Sequence, residues 1–409
     1  MFDAALRVFM DNREIWENES KVSILLFCAV SIFCCAALTV RQSYAGGHLI
    51  SSDSVGWFSF LVALVNDQSL NYGDILAVFG KQETHAPVGT ALAWLPFYLF
   101  GRLVSLTTAG VFGLPIVNDG TGFAEQLACC VGGIVYGAAG VALSYRLACR
   151  WFTPRRALPA VVLLFSTSNL PNYVLAEPYM THSVSVFLTT LLLWIGMKEE
   201  PLETKDGVKI GLVAGLAALT RPTDGLFVVL PFLWHLLRGQ SRKSLIQPLF
   251  VAALLSMAIF SFQLLVWDSN SSYTAGRVVP KGFRGEMDWR EPKWYRHLLG
   301  SRHGLFRFHP IYLLALGGLP LLFRRQKHLT VVAAVGLAIQ FYVICSWSGQ
   351  GQSFGARMFL GSFPLFLLGT VSLLQYSRPM RCLLGGLALP LVVINVALFL
   401  NYRGLVQLF

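Results

Sequence analysis

The sequence predicts an all-α polytopic membrane protein, and three observations carry that reading. Of the 409 residues, 55% are hydrophobic and only 13% are charged, against roughly a quarter charged in soluble domains. Several apolar windows exceed about 18 residues, long enough to cross a bilayer as a helix. Between them lie short loops rich in Lys and Arg, the composition of cytoplasmic loops.

The first window is "VSILLFCAVSIFCCAALTV" at 22–40. It follows Asp3, Asp11, Glu14, Glu17 and Glu19 rather than a short basic segment, and it is too long for a cleaved leader, so it is expected to remain as an anchor. The basic loops are "RWFTPRR" (150–156), "KEEPLETKDGVK" (198–209), "RGQSRKS" (238–244), "RRQKH" (324–328) and "YSRPMR" (376–381). The apolar runs between them pair as hairpins: 157–171 with 183–197, 209–220 with 225–237, 245–267 with 309–323, and 329–346 with 358–375. A last run at 382–400 leaves the C-terminus outside.

The interval 41–123 must cross the bilayer an even number of times to keep the basic loops on one side. Its apolar stretch at 88–116 is interrupted by Pro96, Gly101 and Arg102, and neither half reaches bilayer length. It therefore reads as helices in or dipping into the outer interface, as does the aromatic-rich "WFSFLVALV" at 57–65. The expectation is a single domain, 1–409, of about eleven spans. Its N-terminus lies inside, and its external loops are 42–123, 172–182, 268–308 and 347–357.

Composition excludes some classes. The net charge of +11 is what cytoplasmic loops collect, and no basic-aromatic soluble module suggests nucleic acid. The cysteines inside apolar runs (Cys28, Cys34, Cys35, Cys129, Cys130, Cys345) lack metal-type spacing and read as small buried hydrophobes.

Threaded this way, unusual polar residues gather at one surface. Asp53 opens the first external loop, followed by Lys81 and His85. Glu177 and His182 lie in the next external turn, and Arg221 and Asp224 in the tight turn "LTRPTDG" (219–225). Arg302 and His303 precede the run at 309–323, and Arg357 lies in a Gly-rich turn. Ionisable groups at membrane depth are costly and mark a site by default. Each also has a plain structural role open to it. Asp53 can cap the helix at 54–65, Glu177 can be a solvated turn residue, and His182 a satisfied interfacial histidine. Arg221 can cap a helix C-terminus, Asp224 can N-cap the following helix, and Arg357 can snorkel to the interface. The external loop 268–308 breaks the charge rule, with Arg277, Lys281, Arg284, Arg290, Lys293, Arg296, Arg302 and Arg307. It is either a miscounted span or a binder of something anionic.

Carboxylates beside Arg, Lys and His at the outer mouth of a bundle suit transfer from a lipid-linked phosphate. Cations neutralise the departing phosphate, and a carboxylate takes the acceptor's proton. A transporter or flippase of an anionic lipid or sugar phosphate is the alternative, but it calls for midmembrane charges and repeated halves that the sequence does not display.

Short motifs resemble the GT-C superfamily of membrane glycosyltransferases, which includes the protein O-mannosyltransferases and aminoarabinose transferases. "SSDSVGWF" resembles the first-loop acidic motif, which implies a base role for Asp53. "HAPVGTALAWLPFYLFG" resembles the start of a juxtamembrane helix, with His85 where Lys is usual and Lys81 nearby. "LAEPYMTHSVS" resembles the second-loop segment and places an acid at Glu177. "GSRHGLFRFHPI" and "WSGQGQSFGARMF" resemble late segments of bacterial members. The resemblance implies a bacterial inner-membrane enzyme facing the exterior that uses a polyprenyl-phosphate-linked sugar donor and a lipid, glycan or protein acceptor. Asp53 and Glu177 are the catalytic candidates; Lys81, His85, His182, Arg221, Arg302, His303 and Arg357 are the substrate-binding ones. No cofactor is expected. Asp53, Glu177 and His182 have the chemistry to ligate a divalent metal, but the cations can do that work. No large C-terminal domain is expected after the last span, and single-sugar transfer is the expectation that goes with this.

Overall fold

The computed structural model describes residues 19–42, 48–81, 87–112, 119–270, 287–301, 303–347 and 353–402. His85, Arg302 and the greater part of the basic loop (271–286) lie outside the described residues, as do parts of the loops 42–123 and 347–357. Within them the architecture is helical throughout, and the one extended contact is an isolated antiparallel bridge between Met287 and Trp347.

The chain opens with α1 (Glu19–Gln42), α2 (Ser54–Val62), α3 (Gly73–Val78), α4 (Gly89–Phe112) and α5 (Phe123–Cys149). Next come α6 (Pro154–Thr167), α7 (His182–Gly196), α8 (Thr204–Thr220), α9 (Val229–Leu237) and α10 (Arg242–Ser269). The short α11 (Trp294–Leu298) and α12 (Leu305–Phe308) lead to α13 (Ile311–Phe323), α14 (Lys327–Ser346), α15 (Phe363–Tyr376) and α16 (Arg378–Tyr402). Local sequence sets several starts. Ser241 caps α10 by accepting from the Ser244 N–H, Glu203 and Asp206 form a reciprocal capping box on α8, and Pro154 occupies the first turn of α6.

Six helices among the described residues are long and apolar enough to cross a membrane: Gly89–Val111, Phe123–Cys149, Arg242–Ser269, Lys327–Ser346, Arg357–Tyr376 and Arg378–Tyr402. Others that the sequence counts as spans are shorter, such as α7 at 15 residues and α13 at 13.

Two expectations for the first loop change. The run at 88–116 forms one continuous helix, α4, with Pro96 inside it; among the described residues the break falls after Phe112 rather than at Pro96, Gly101 or Arg102. α4 begins beside the 172–182 turn, where the Thr90 and Thr181 hydroxyls lie 2.6 Å apart. It then runs antiparallel along α5, with the Tyr136 hydroxyl donating to the Ala93 carbonyl (2.9 Å) and Gly101 packed on Ala124 and Ala128. The segment at 57–65 is expected to expose an aromatic face at the interface, yet every residue of α2 is buried within the protein. Trp57 meets Trp94 edge-on, Phe58 meets Phe79 and Tyr98, and Phe60 meets Tyr72. A helix apolar on all sides belongs inside.

The core runs through α5, α7 and α15. Cys129, Cys130 and Cys345 are buried as expected, whereas Cys28 faces out of the bundle. The turn between α6 and α7 is sunk into the bundle. Gly133, ten positions into α5, lies so close to the Pro178 carbonyl that a Cβ there would overlap it. The turn thus sits about 15 Å below the start of α5, at 1.5 Å per residue.

Candidate active site

Segments far apart in sequence meet at this sunken turn. Asp53 occupies the N-cap position of α2, but its side chain makes no capping hydrogen bond. Its Oδ2 accepts from Arg357 Nη2 at 3.3 Å across 304 positions of chain. The capping role open to Asp53 is therefore not what its carboxylate does. Two residues earlier, the Ser51 hydroxyl donates to the Tyr179 hydroxyl (3.2 Å), which ties the first loop to the 172–182 turn.

Arg221 ends α8 through its backbone N–H, which bonds the Ala217 carbonyl (2.7 Å). Its guanidinium is buried and donates to His182 Nδ1 (3.1 Å), the Met358 carbonyl (3.0 Å) and the Met358 sulfur (3.1 Å). A guanidinium has no acceptor, so His182 Nδ1 must accept and the imidazole is neutral with its proton on Nε2. That N–H has no partner among the described residues, although His182 is 2% exposed and packs on the Tyr173 ring at 4.5 Å. An orphaned buried donor costs about 1–3 kcal/mol, so it is a group that a ligand would satisfy.

Asp224 is not the N-cap that the sequence suggests. It lies inside the helical turn Pro222–Gly225, wholly buried, accepts from the Ser185 hydroxyl and acts electrostatically on Arg221. It is a buried carboxyl whose charge acts on Arg221 without forming an ion pair with it. Glu177 is half-buried, with Asn172 Nδ2 3.5 Å from its Oε2, so it is not a freely solvated turn residue.

The remaining wall is the strap 353–358 that carries Arg357. His303 Nδ1 donates to the Ser353 carbonyl (2.8 Å), and Arg357 bonds back through its own N–H to the Gly355 carbonyl (3.0 Å). Gly355 has φ +60°, a left-handed conformation that side chains disfavour, and it lies flat against the His309 ring. A small cavity beside the strap is lined by His297, His303, Trp347 and Arg357. His303, expected to bind substrate, here spends one ring nitrogen on the strap.

Asp53 thus meets Arg357 and Arg221 meets His182, with the charge of Arg357 acting on the second pair and Glu177 in the adjoining turn. Lys81 is exposed just beyond α3, and no contact among the described residues joins it to the cluster. His85 and Arg302 lie outside the described residues. Sequence reasoning missed Tyr173, Tyr179 and the structural weight of Asp224. A tyrosine in the turn "NLPNY" between two apolar runs was the available signal, since a buried Tyr hydroxyl seeks a partner. Among the described residues no three His, Cys, Asp or Glu side chains group as metal ligands would. A larger open cleft of about 510 Å³ carries Asn66, Asp67, Arg102 and Asp119 but none of the predicted site residues.

Residues 120–267 match the family model described as dolichyl-phosphate-mannose-protein mannosyltransferase. No curated protein matches the chain. Among solved structures it is similar to ArnT from Cupriavidus metallidurans bound to undecaprenyl phosphate. The TM-score is 0.54 at 17% identity over 93% of this chain and 70% of that one. The apo form of the same protein gives 0.52 at 16% identity, over 91% of this chain and 64% of that one. This chain spans roughly two thirds of the length of the structures it resembles. Together with the helical bundle, these likenesses give the chain the fold seen in ArnT, and its stretch 120–267 is similar to the mannosyltransferase family model.

Proposed function

We propose that the chain transfers a sugar from a polyprenyl-phosphate donor to a lipid, glycan or protein acceptor at the extracytoplasmic face of the membrane, with inversion. The observation that carries this reading is the meeting of Asp53 with Arg357 beside the Arg221–His182 pair. It sets a carboxylate against one guanidinium, whose charge in turn acts on the buried Arg221–His182 pair with its unpartnered N–H donor. In the proposed step the acceptor oxygen bonds to the anomeric carbon as the bond from that carbon to the phosphate oxygen breaks. Asp53 takes the acceptor proton, and the electron pair leaves with the phosphate. Arg357 faces the developing phosphate charge and the His182 Nε2–H adds a donor, while Arg221 holds that tautomer. Glu177 orients the acceptor. Lys81, His85 and Arg302 are further candidates for the phosphate. The undecaprenyl phosphate in the similar ArnT structure supports the donor class.

The test is incubation of purified protein with a panel of labelled polyprenyl-phosphate sugars. Release of polyprenyl phosphate without any sugar nucleotide is the expected result. Translocation of an intact donor across proteoliposomes with no release would replace this reading by transport.

A further inference from the structure

The strap that carries Arg357 is pinned at Phe354 by one phenol. Tyr173 lies in the π-helical turn Asn172–Ala176 and is fully buried. Its hydroxyl accepts from the Phe354 N–H (3.1 Å) and donates to the Phe354 carbonyl (3.2 Å). One side-chain atom thereby satisfies both polar groups of one backbone residue, as a neighbouring strand would. Burial raises the Tyr173 pKa well above its usual value, so the donating proton stays in place. The other fixings lie to either side: His303 on Ser353, Arg221 on Met358, and the Phe354 ring against His309, Phe399 and Tyr402. Three residues beyond Phe354, the Arg357 side chain reaches back to Asp53. The 3-10 turn Arg357–Ser362 begins where the strap ends, and among these fixings the phenol is the one that holds both backbone polar groups of a strap residue.

We propose that Tyr173 is a positioning residue for Arg357, its hydroxyl fixing the strap at Phe354 so that the guanidinium faces Asp53 and the donor's anionic group. Tyr173 touches no reacting atom in this arrangement; it acts through Arg357. The inference rests on the reading of Arg357 as the ligand of the donor phosphate. Tyr173→Phe removes the hydroxyl alone and keeps the ring on His182.

Two measurements on the full-length protein in nanodiscs decide it. The first is hydrogen exchange of the backbone over 353–358, which needs no ligand. Tyr173→Phe should speed exchange there by about tenfold, the effect of losing a pair of neutral hydrogen bonds, and leave α15 unchanged. The second is binding of undecaprenyl phosphate. Tyr173→Phe should weaken it about tenfold in the wild-type background and less than about twofold in an Arg357→Ala background, because the two substitutions remove one coupled function. Unchanged exchange in the strap overturns the proposal, and so does an equal loss of binding in both backgrounds. If the wild type binds no undecaprenyl phosphate, the donor reading fails, while exchange still tests the pin. If Tyr173→Phe does not fold, the wild type keeps the test: the Phe354 N–H under the phenol should exchange at least about tenfold more slowly than an unprotected amide, and free exchange there overturns the proposal.

Discussion

Asp53 and Arg357 form an ion pair whose acid is 57% exposed and whose base is 16% exposed. A pair with one partner so wet contributes about 0–1 kcal/mol to stability, so its substitution should leave the fold intact and report on chemistry. Asp53→Asn keeps the shape but cannot accept a proton. It should shift stability by no more than about 0.5 kcal/mol and lower turnover by at least about a hundredfold, the usual scale of a general base. Thermal melting and release of polyprenyl phosphate measure the two effects. Wild-type turnover in that variant would shift the base to Glu177. Arg357→Lys keeps the charge and loses the planar fork, so donor binding should weaken about tenfold. Arg221 should behave in the opposite manner. Its guanidinium is buried, donates to His182 and Met358 and feels the charge of Asp224, and removing it leaves those buried polar groups unsatisfied at about 1–3 kcal/mol each. Arg221→Ala should therefore fail in yield and melting temperature before activity can be compared. The charged members of this cluster were legible in the sequence because a charge between apolar runs is conspicuous. Tyr173 was not, because an aromatic residue in an aromatic-rich membrane chain carries no signal until its partner, 181 positions away, is known.

At the scale of elements, the apolar runs translated almost directly into helices. The run at 329–346 became Lys327–Ser346 and that at 382–400 became Arg378–Tyr402. The first loop was harder to read. Proline and glycine in the stretch 88–116 suggested breaks, but packing on α5 and the contact at Ala93 hold α4 continuous through Pro96, an instance of tertiary context overriding local preference. Composition alone cannot tell a helix covered by lipid from one covered by protein, and α2 shows it. The contact that places the site is Gly133 of α5 against the Pro178 carbonyl. Gly133→Ala must push the 172–182 turn away from α5. It should cost about 1–3 kcal/mol, as overpacking does, and lower turnover with it. Gly386→Ala, where an added Cβ meets nothing within the protein, should leave both unchanged; thermal unfolding of the two variants makes the comparison.

For the whole molecule, the parity of crossings follows from the charge of the basic loops, which belong on the cytoplasmic side. A single-cysteine probe at position 119 should react in intact cells if the 42–123 loop is external; protection there would put Asp53 on the other side. The depth of the sunken turn has a separate consequence. From Gly133, level with that turn, to the end of α5 at Cys149 is sixteen residues, about 24 Å of helix. The hydrocarbon of an ordinary bilayer is about 30 Å thick. With Cys149 level with the inner edge of that hydrocarbon, the proposed reaction centre would lie lower than the headgroups of an unperturbed outer leaflet, and the lipid would have to thin around the protein or let its phosphate descend. Both adjustments carry a mismatch cost that grows with each ångström. Bilayer thickness thus becomes a variable of the rate. In proteoliposomes made from phosphatidylcholines of increasing acyl length, turnover should fall steadily from the thinnest stable membrane upward while the protein stays folded, and a flat profile would mean that the surrounding leaflet already dips to meet the turn.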